Sequence, residues 1–239
     1  MIIDNIEEFL EDLGSSKKKN TGQYGEGGIL EKLFEDYLKI KPTFCLEFGS
    51  GTVSSKRGTA NIRYLYDEYK CKCVYFEIDE GKLTNTDGKY KEQIHMETIT
   101  ASNVNDIFKK YKVPNDLDVL VIDIDGQDYW VWKNLDYKPK IVLIEFNPSL
   151  SSEELKVMHE DENHNEWRDT RCSYYGASIS SMKKLGKQKG YSLVYSTDRN
   201  LFFVQKELID VDIDKKILHP KSLKDFGRKY KMEPKWLEI

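Results

Sequence analysis

The chain has 239 residues, enough for one sizeable core, and sets 37 Lys and Arg against 41 Asp and Glu for a net charge of −4. That balance argues against a general nucleic-acid binder, which needs a basic excess, and no apolar run approaches the roughly 18 residues of a membrane span. Cys45, Cys71, Cys73 and Cys172 show neither a CxxC pair nor a disulfide-framework spacing, so a reducing cytoplasm is the expected setting.

Ile6, Phe9, Leu10 and Leu13 fall on one helical face and predict an amphipathic helix over residues 2–13, with an acidic start unlike a secretory leader. GSSKKKNTGQYGEGG (14–28) reads as a mobile polar loop with a solvated lysine run. Ile29, Leu30, Leu33, Phe34, Tyr37 and Leu38 mark a second helix. TFCLEFGSG (43–51) is a short apolar run entering two glycines, and Ile62, Leu65, Tyr66 and Tyr69 follow at helical spacing. Further strands are expected at CVYFEID (73–79), IHMETITA (94–101), VLVIDID (119–125) and KIVLIEFNP (140–148). Ser102 is placed to cap the helix carrying Val104, Ile107 and Phe108, and Asp128 the helix through Trp132. A helix over 178–189 and a hairpin over 191–204 complete the pattern, and a short helix is expected near 221–230. Near-continuous apolar strands alternating with helices imply an α/β fold with a parallel sheet covered on both faces.

The segment after the first strand is a nucleotide-type loop, where glycines allow close backbone approach to a ligand. Ser54 stands where a dinucleotide fingerprint needs its third glycine, and no GxxxxGK[ST] occurs. Glu47, two residues before Gly49, would repel a pyrophosphate and suit a cationic ligand. S-adenosylmethionine has an ammonium, a sulfonium and no phosphate. Glu77, ending the second strand, stands where a carboxylate accepts from ribose hydroxyls.

On GQYGEGGILEKLF, LEFGSG, IDIDGQDYWVW and IEFNP, the chain resembles the class I S-adenosylmethionine-dependent methyltransferases, and within them the FkbM-like enzymes of bacterial glycan clusters. The resemblance covers about residues 22–205. It implies a Rossmann-like, mostly parallel seven-stranded sheet ending in an antiparallel hairpin. It places Glu47, Gly49, Ser50 and Gly51 at the methionine end of the cofactor, Glu77 at the ribose and Ala101 and Ser102 at the adenine. Gln23 to Glu26 would lie over the cofactor mouth. The lengthened TVSSKRGTAN after the Gly loop departs from the family pattern and bears on the contacts of Ser50 and Thr52.

Ligands of a parallel sheet bind outside the carboxyl ends of its strands, where Asp123, Asp125, Asp128, Glu145 and Asn147 gather. Strand alternation puts Asp123 and Asp125 on one side if extension continues. Such a pair can supply a general base, led by Asp125, because close like charges raise a carboxylate pKa. With Asn147 it can also hold a divalent cation, magnesium or calcium sooner than zinc. Asp123 has a further expected use at the cofactor. Asp128 is expected to cap a helix, and Trp130 and Trp132 to line core and pocket wall.

NPSL (147–150) follows strand five, whereas the NPPY-type motif of adenine methyltransferases follows strand four and ends in an aromatic residue, so base methylation is discounted. Residues 151–175 read as a substrate-lid insertion. His159 is an alternative base there, and Arg168 and Arg171 could bind an anionic acceptor. The expected organisation is an N-terminal helix and loop over 1–21, the methyltransferase domain over 22–205 and an extension over 206–239. The expected activity is O-methylation of a small polar acceptor such as a sugar or glycan precursor, with RNA or DNA methylation and a non-catalytic cofactor-binding module as alternatives. Oligomeric state is left open.

Overall fold

The computed structural model describes residues 1–18, 21–56, 58–161, 174–213 and 235–239. The helix expected near 221–230, and with it His164, Arg168, Arg171, Cys172 and His219, lies outside the described residues. The first helix, α1, spans Ile6–Ser15, and Asn5 Oδ1 caps it by accepting from Glu8 N. Helix α2, Glu26–Lys32, runs on as a π-helical turn over Leu33–Leu38. It starts earlier than the sequence pattern predicts. Gly27 and Gly28 are fully enclosed there, and a Cβ on Gly28 would collide with the Ser16 carbonyl. Close packing, of Gly28 against the end of α1 and of Gly27 against Thr21 and Tyr64, rather than chain mobility, accounts for these glycines.

The sheet is built from β1 Phe44–Phe48, β2 Lys72–Glu77, β3 Ile94–Met96, β4 Val119–Ile122, β5 Ile141–Glu145, β7 Tyr191–Ser196 and β8 Asn200–Gln205. A short β6, Lys156–Met158, and a terminal β9, Trp236–Glu238, pair with each other outside it. The helices between strands are α3 Arg63–Tyr69, α4 Glu80–Thr84, α5 Val104–Lys110, α6 Asp128–Asn134 and α7 Ile179–Gln188. The strand order is β3-β2-β1-β4-β5-β8-β7, with β1 to β5 parallel and β8 antiparallel to both its neighbours. This is the class I methyltransferase fold expected from the sequence, its last strand inserted in reverse between β5 and β7.

The sequence of β4, VLVI, has no exposed position because sheet neighbours flank it on both edges and helices cover both faces; Val119 to Ile122 and Ile141 to Ile144 are all solvent-free. Each such side chain contributes about 1.5–3 kcal/mol through burial. Trp132 lies in this core against Phe203, ring centroids 4.8 Å apart, and Trp130 Nε1 donates to the Met158 carbonyl. Both tryptophans are therefore core residues. At the amino ends of the strands Asp118 accepts from Thr43 N and Phe44 N and pairs with Lys140 at 2.7 Å. Burial raises its pKa, but Lys140 and the two backbone donors outweigh that and hold it below the usual carboxylate value.

Several expectations shift. The 151–175 insertion contains a strand, β6, that the sequence pattern does not predict; residues 162–173 are outside the described set. Strand β3 stops at Met96, well short of Ala101. Ser102 does not cap α5: its Oγ pairs with Thr100 Oγ1, while Asn103 Oδ1 accepts from Thr100 N. Among the described residues no helix is long and apolar enough to cross a membrane.

At the carboxyl ends, β1 and β4 are held in one place by a backbone contact. Gly49 has φ +68°, and a Cβ there would overlap the Asp123 carbonyl oxygen. Gly49→Ala is expected to lower the unfolding free energy by about 4 kcal/mol or more, since the neighbour is backbone and cannot rotate away; urea denaturation measures it.

Candidate active site at the carboxyl ends of the strands

The chain winds outward from β1 to β3 and returns to β4 beside β1, so the β1/β4 junction is the switch point where open α/β sheets bind ligands. The Gly loop leaves β1 there. Gly49 N and Ser50 N both donate to the Phe76 carbonyl, seating the loop on β2. The lengthened segment folds back on the loop: Thr59 Oγ1 donates to the Ser50 carbonyl and Ser55 N to Asp87. Ser50 is enclosed by this fold, with Oγ directed to the Gly51 carbonyl at 3.4 Å.

Both acids flanking the loop are buried and already hydrogen-bonded. Glu47 accepts from Asn61 N, Asn61 Nδ2 and Ile62 N at 2.8–3.1 Å, fixing the entry to α3. Burial pushes its carboxyl up to about 8 despite those three bonds. Glu77 accepts from Gly51 N at 2.8 Å through one oxygen and from Ile78 N and Asp79 N through the other. It thus ties the tip of the Gly loop to the end of β2, with Lys82 Nζ 3.5 Å away. Ala101 is buried and Ser102 exposed on the turn after β3.

Across the switch point the carboxylate oxygens of Asp123, Asp125 and Glu145 lie within 4.8 Å of one another. Backbone extension does not create this. The strand ends at Ile122, and Asp125 sits in the left-handed region at φ 59°, a conformation Asp tolerates better than most residues. Asp128 explains the turn. Its two oxygens accept from Ile124 N and Gly126 N, each at 2.9 Å, so it fastens the loop bearing Asp125 instead of capping α6. Burial raises Asp128 to about 7 against those bonds. Asp123 and Glu145 are raised well above the usual carboxylate range by burial, and then by the neighbouring acids.

Asn147 does not join the acids as the sequence suggested. Its Oδ1 accepts from Ser149 N and Ser149 Oγ, and its Nδ2 donates to the Tyr175 carbonyl. Glu145, the last residue of β5, takes that place, and its Oε2 is buried with no hydrogen-bond partner. Alternation along β5 does not reveal the exchange, because the chain turns after Glu145. Arg199 lies 3.8 Å from Glu145 and donates to the Tyr175 hydroxyl at 2.9 Å. Sequence reasoning missed it, since it lies in the turn of the β7–β8 hairpin, far along the chain. Glu26 is fully buried under the same hairpin, accepting from Thr197 Oγ1, Asn200 Nδ2 and Tyr24 N. His159 is exposed, its Nδ1 against the Glu160 carbonyl at 2.9 Å, and is not among the groups converging on the acids.

The sequence matches no protein-family profile and no curated protein. Among solved structures the chain is similar to the MycE methyltransferase of the mycinamycin pathway in complex with Mg, SAH and mycinamycin VI, at 16% identity and TM-score 0.47 over 81% of this chain and 54% of that one. It is also similar to the CurJ carbon methyltransferase, at 9% identity and TM-score 0.45 over 75% and 52%. A third likeness is to the N-terminal domain of EvdMO1 with SAH bound, at 10% identity and TM-score 0.45 over 75% and 79%. The chain spans about half the length of the first two. The strand order, rather than these likenesses, carries the fold assignment.

The raised acids give stability a definite pH dependence. A carboxyl whose pKa is higher folded than unfolded stabilises the fold fully below its unfolded value, and that stability is lost as pH rises through the folded value. For Glu47 and Asp128 the window runs from about 4, the ordinary carboxyl value, to about 7–8. Acids with lowered pKa values, such as Asp118, act below that window. Without added divalent ions the unfolding free energy is expected to fall between pH 5 and pH 8. Glu47→Gln should remove up to one proton's worth of that slope in urea titrations across the range.

Proposed function

We propose that the chain is an S-adenosylmethionine-dependent methyltransferase that transfers the methyl group to a hydroxyl of a small polar acceptor, such as a sugar or glycan precursor, with a divalent cation held by Asp123, Asp125 and Glu145. The observation that carries this reading is the convergence of those three carboxylates at the switch point, beside a Gly loop flanked by Glu47 and Glu77. A field of buried acids fits a sulfonium and an ammonium and opposes a pyrophosphate. The unpartnered Glu145 Oε2 and the all-oxygen donor set fit a hard divalent ion such as magnesium.

In this reading Glu47 anchors the loop through Asn61 and Ile62, and a cationic cofactor beside it would draw its raised pKa down and so favour its charged form. Glu77 holds Gly51 N–H and offers its remaining lone pairs to the ribose. When bound, the cation supplies positive charge that lowers the pKa of the acceptor hydroxyl. Asp123, just after β4, and Glu145, at the end of β5, would hold the cation from fixed positions, and Asp125 would reach it through one oxygen and leave the other for the acceptor proton. Asp125, on the loop, is the carboxylate that takes the acceptor proton as its oxygen attacks the methyl carbon in line with the departing sulfur. Arg199 favours the charged form of Glu145, offsetting a part of the burial and of the repulsion among the acids.

Nucleic-acid base methylation is the weaker reading. The Asn147 amide of NPSL is committed to Ser149 and Tyr175, and Leu150 is buried.

Titration calorimetry with S-adenosylhomocysteine is expected to show one site, and radiolabelled methyl transfer to a panel of sugars and hydroxylated metabolites to require Mg2+ or Mn2+. Asp125→Asn should lower kcat by roughly 10²–10⁴-fold with little change in cofactor affinity. Asp123→Asn and Glu145→Gln should abolish the response to added cation. Absence of cofactor binding would favour the non-catalytic module; steeply salt-dependent RNA binding would favour the nucleic-acid reading.

A further inference from the structure

At the opposite end of the sheet from the acids, three thiols meet. Cys45 on β1 and Cys73 on β2 are register partners in the parallel ladder, and Cys71 lies two residues before Cys73, so all three side chains fall on one face. The Sγ atoms of Cys71 and Cys73 are 3.4 Å apart, those of Cys71 and Cys45 are 3.9 Å apart, and all three lie within 4.8 Å of one another. None is in a disulfide, and all are buried, Cys71 nearest the surface at 3% exposure beside Lys70 and Lys72.

We propose that Cys45, Cys71 and Cys73 form a soft-metal site that takes a single Cu(I) ion through three thiolates. The geometry is the first argument. Three sulfurs each about 2.3 Å from one ion in a trigonal plane lie about 4 Å apart, close to the separations seen here. Donor chemistry is the second: thiolates select soft cations, and carboxylates and carbonyls do not. Among the described residues no fourth histidine, cysteine or carboxylate ligand joins the three, and zinc favours four donors where copper(I) accepts three. The polarity of the surroundings is the third. Cys73 Sγ meets the Ile62 carbonyl at 3.7 Å, too long for a strong hydrogen bond, and the Tyr75 hydroxyl, two residues along on the same face, is buried without a hydrogen-bond partner. Binding releases the thiol protons to solvent, one per sulfur that is not already ionised, and forms three metal–sulfur bonds with no change in oxidation state. Hydrogen bonding from the other two sulfurs favours the thiolate at Cys71, whereas burial favours the thiol at Cys45 and Cys73. The ion would clamp β1 to β2 at their amino ends, remote from the cofactor cleft, so the site stands or falls independently of the methyltransferase reading.

The test is anaerobic titration of the reduced, full-length protein with Cu(I) against a competing chelator, followed by X-ray absorption of the loaded protein. One equivalent retained, with a shell of three sulfurs at about 2.2–2.3 Å, is the expected result and needs no variant. Cys71→Ser is expected to weaken retention at least 100-fold, and Cys172→Ser to leave it unchanged. Copper lost entirely to the chelator, a shell with fewer than three sulfurs, or retention insensitive to Cys71→Ser would each overturn the proposal. So would stoichiometric Zn(II) uptake by a protein that does not hold Cu(I).

Discussion

The Asp123 carbonyl rests where the side chain of any residue but glycine would begin at position 49. This single contact locks the Gly loop of β1 to the end of β4, and much of the site's geometry depends on it. Asp123 N also donates to the Phe48 carbonyl, so the two strand ends are stitched together before they diverge. The lock keeps the Gly loop and the acids after β4 side by side at the switch point. A glycine that a sequence motif assigns to ligand approach is thus required first by the protein's own backbone.

Charge crowding is the second determinant. Glu26, Glu47, Asp128 and Glu145 are buried and Asp123 half-buried around the ends of β1, β4 and β5, and Arg199 is the cation paired with Glu145. Each solution is local. Glu47 and Asp128 are hydrogen-bonded by backbone N–H groups, and Glu26 by the hairpin. Among the described residues Asp123 and Glu145 are not quenched by backbone donors, and there a cationic partner has the most to contribute. The division also separates anchoring acids from acids suited to chemistry, although all look alike in the sequence.

Much of this was legible in the residues. The continuous apolar runs VLVI and KIVLIE marked strands buried on both faces, and LEFGSG marked the loop at the switch point. What escaped sequence reasoning depended on chain reversals. Period-two alternation could not show that the chain leaves extension at Asp123, or that Asp128 fastens the turn, because the pattern carries no information once the backbone enters the left-handed region. Asn147 and Glu145 were indistinguishable as oxygen donors until Ser149 and Tyr175 claimed the amide. Arg199 reaches Glu145 from 54 residues along the chain, and Glu26 meets the same hairpin at Asn200 across 174 residues. The π-helical turn after α2 and the pairing of β6 with β9 likewise have no local signature.

The central claim is that one crevice, at the junction of β1 and β4, holds the cofactor on the Gly loop and a divalent cation on the acids opposite. Anomalous diffraction from crystals grown with Mn2+ and S-adenosylhomocysteine tests it most directly. The account predicts a manganese peak bounded by Asp123, Asp125 and Glu145, with the product over Gly49 to Gly51 and its ribose toward Glu77. Manganese or product bound elsewhere, with the three carboxylates unligated, would contradict it.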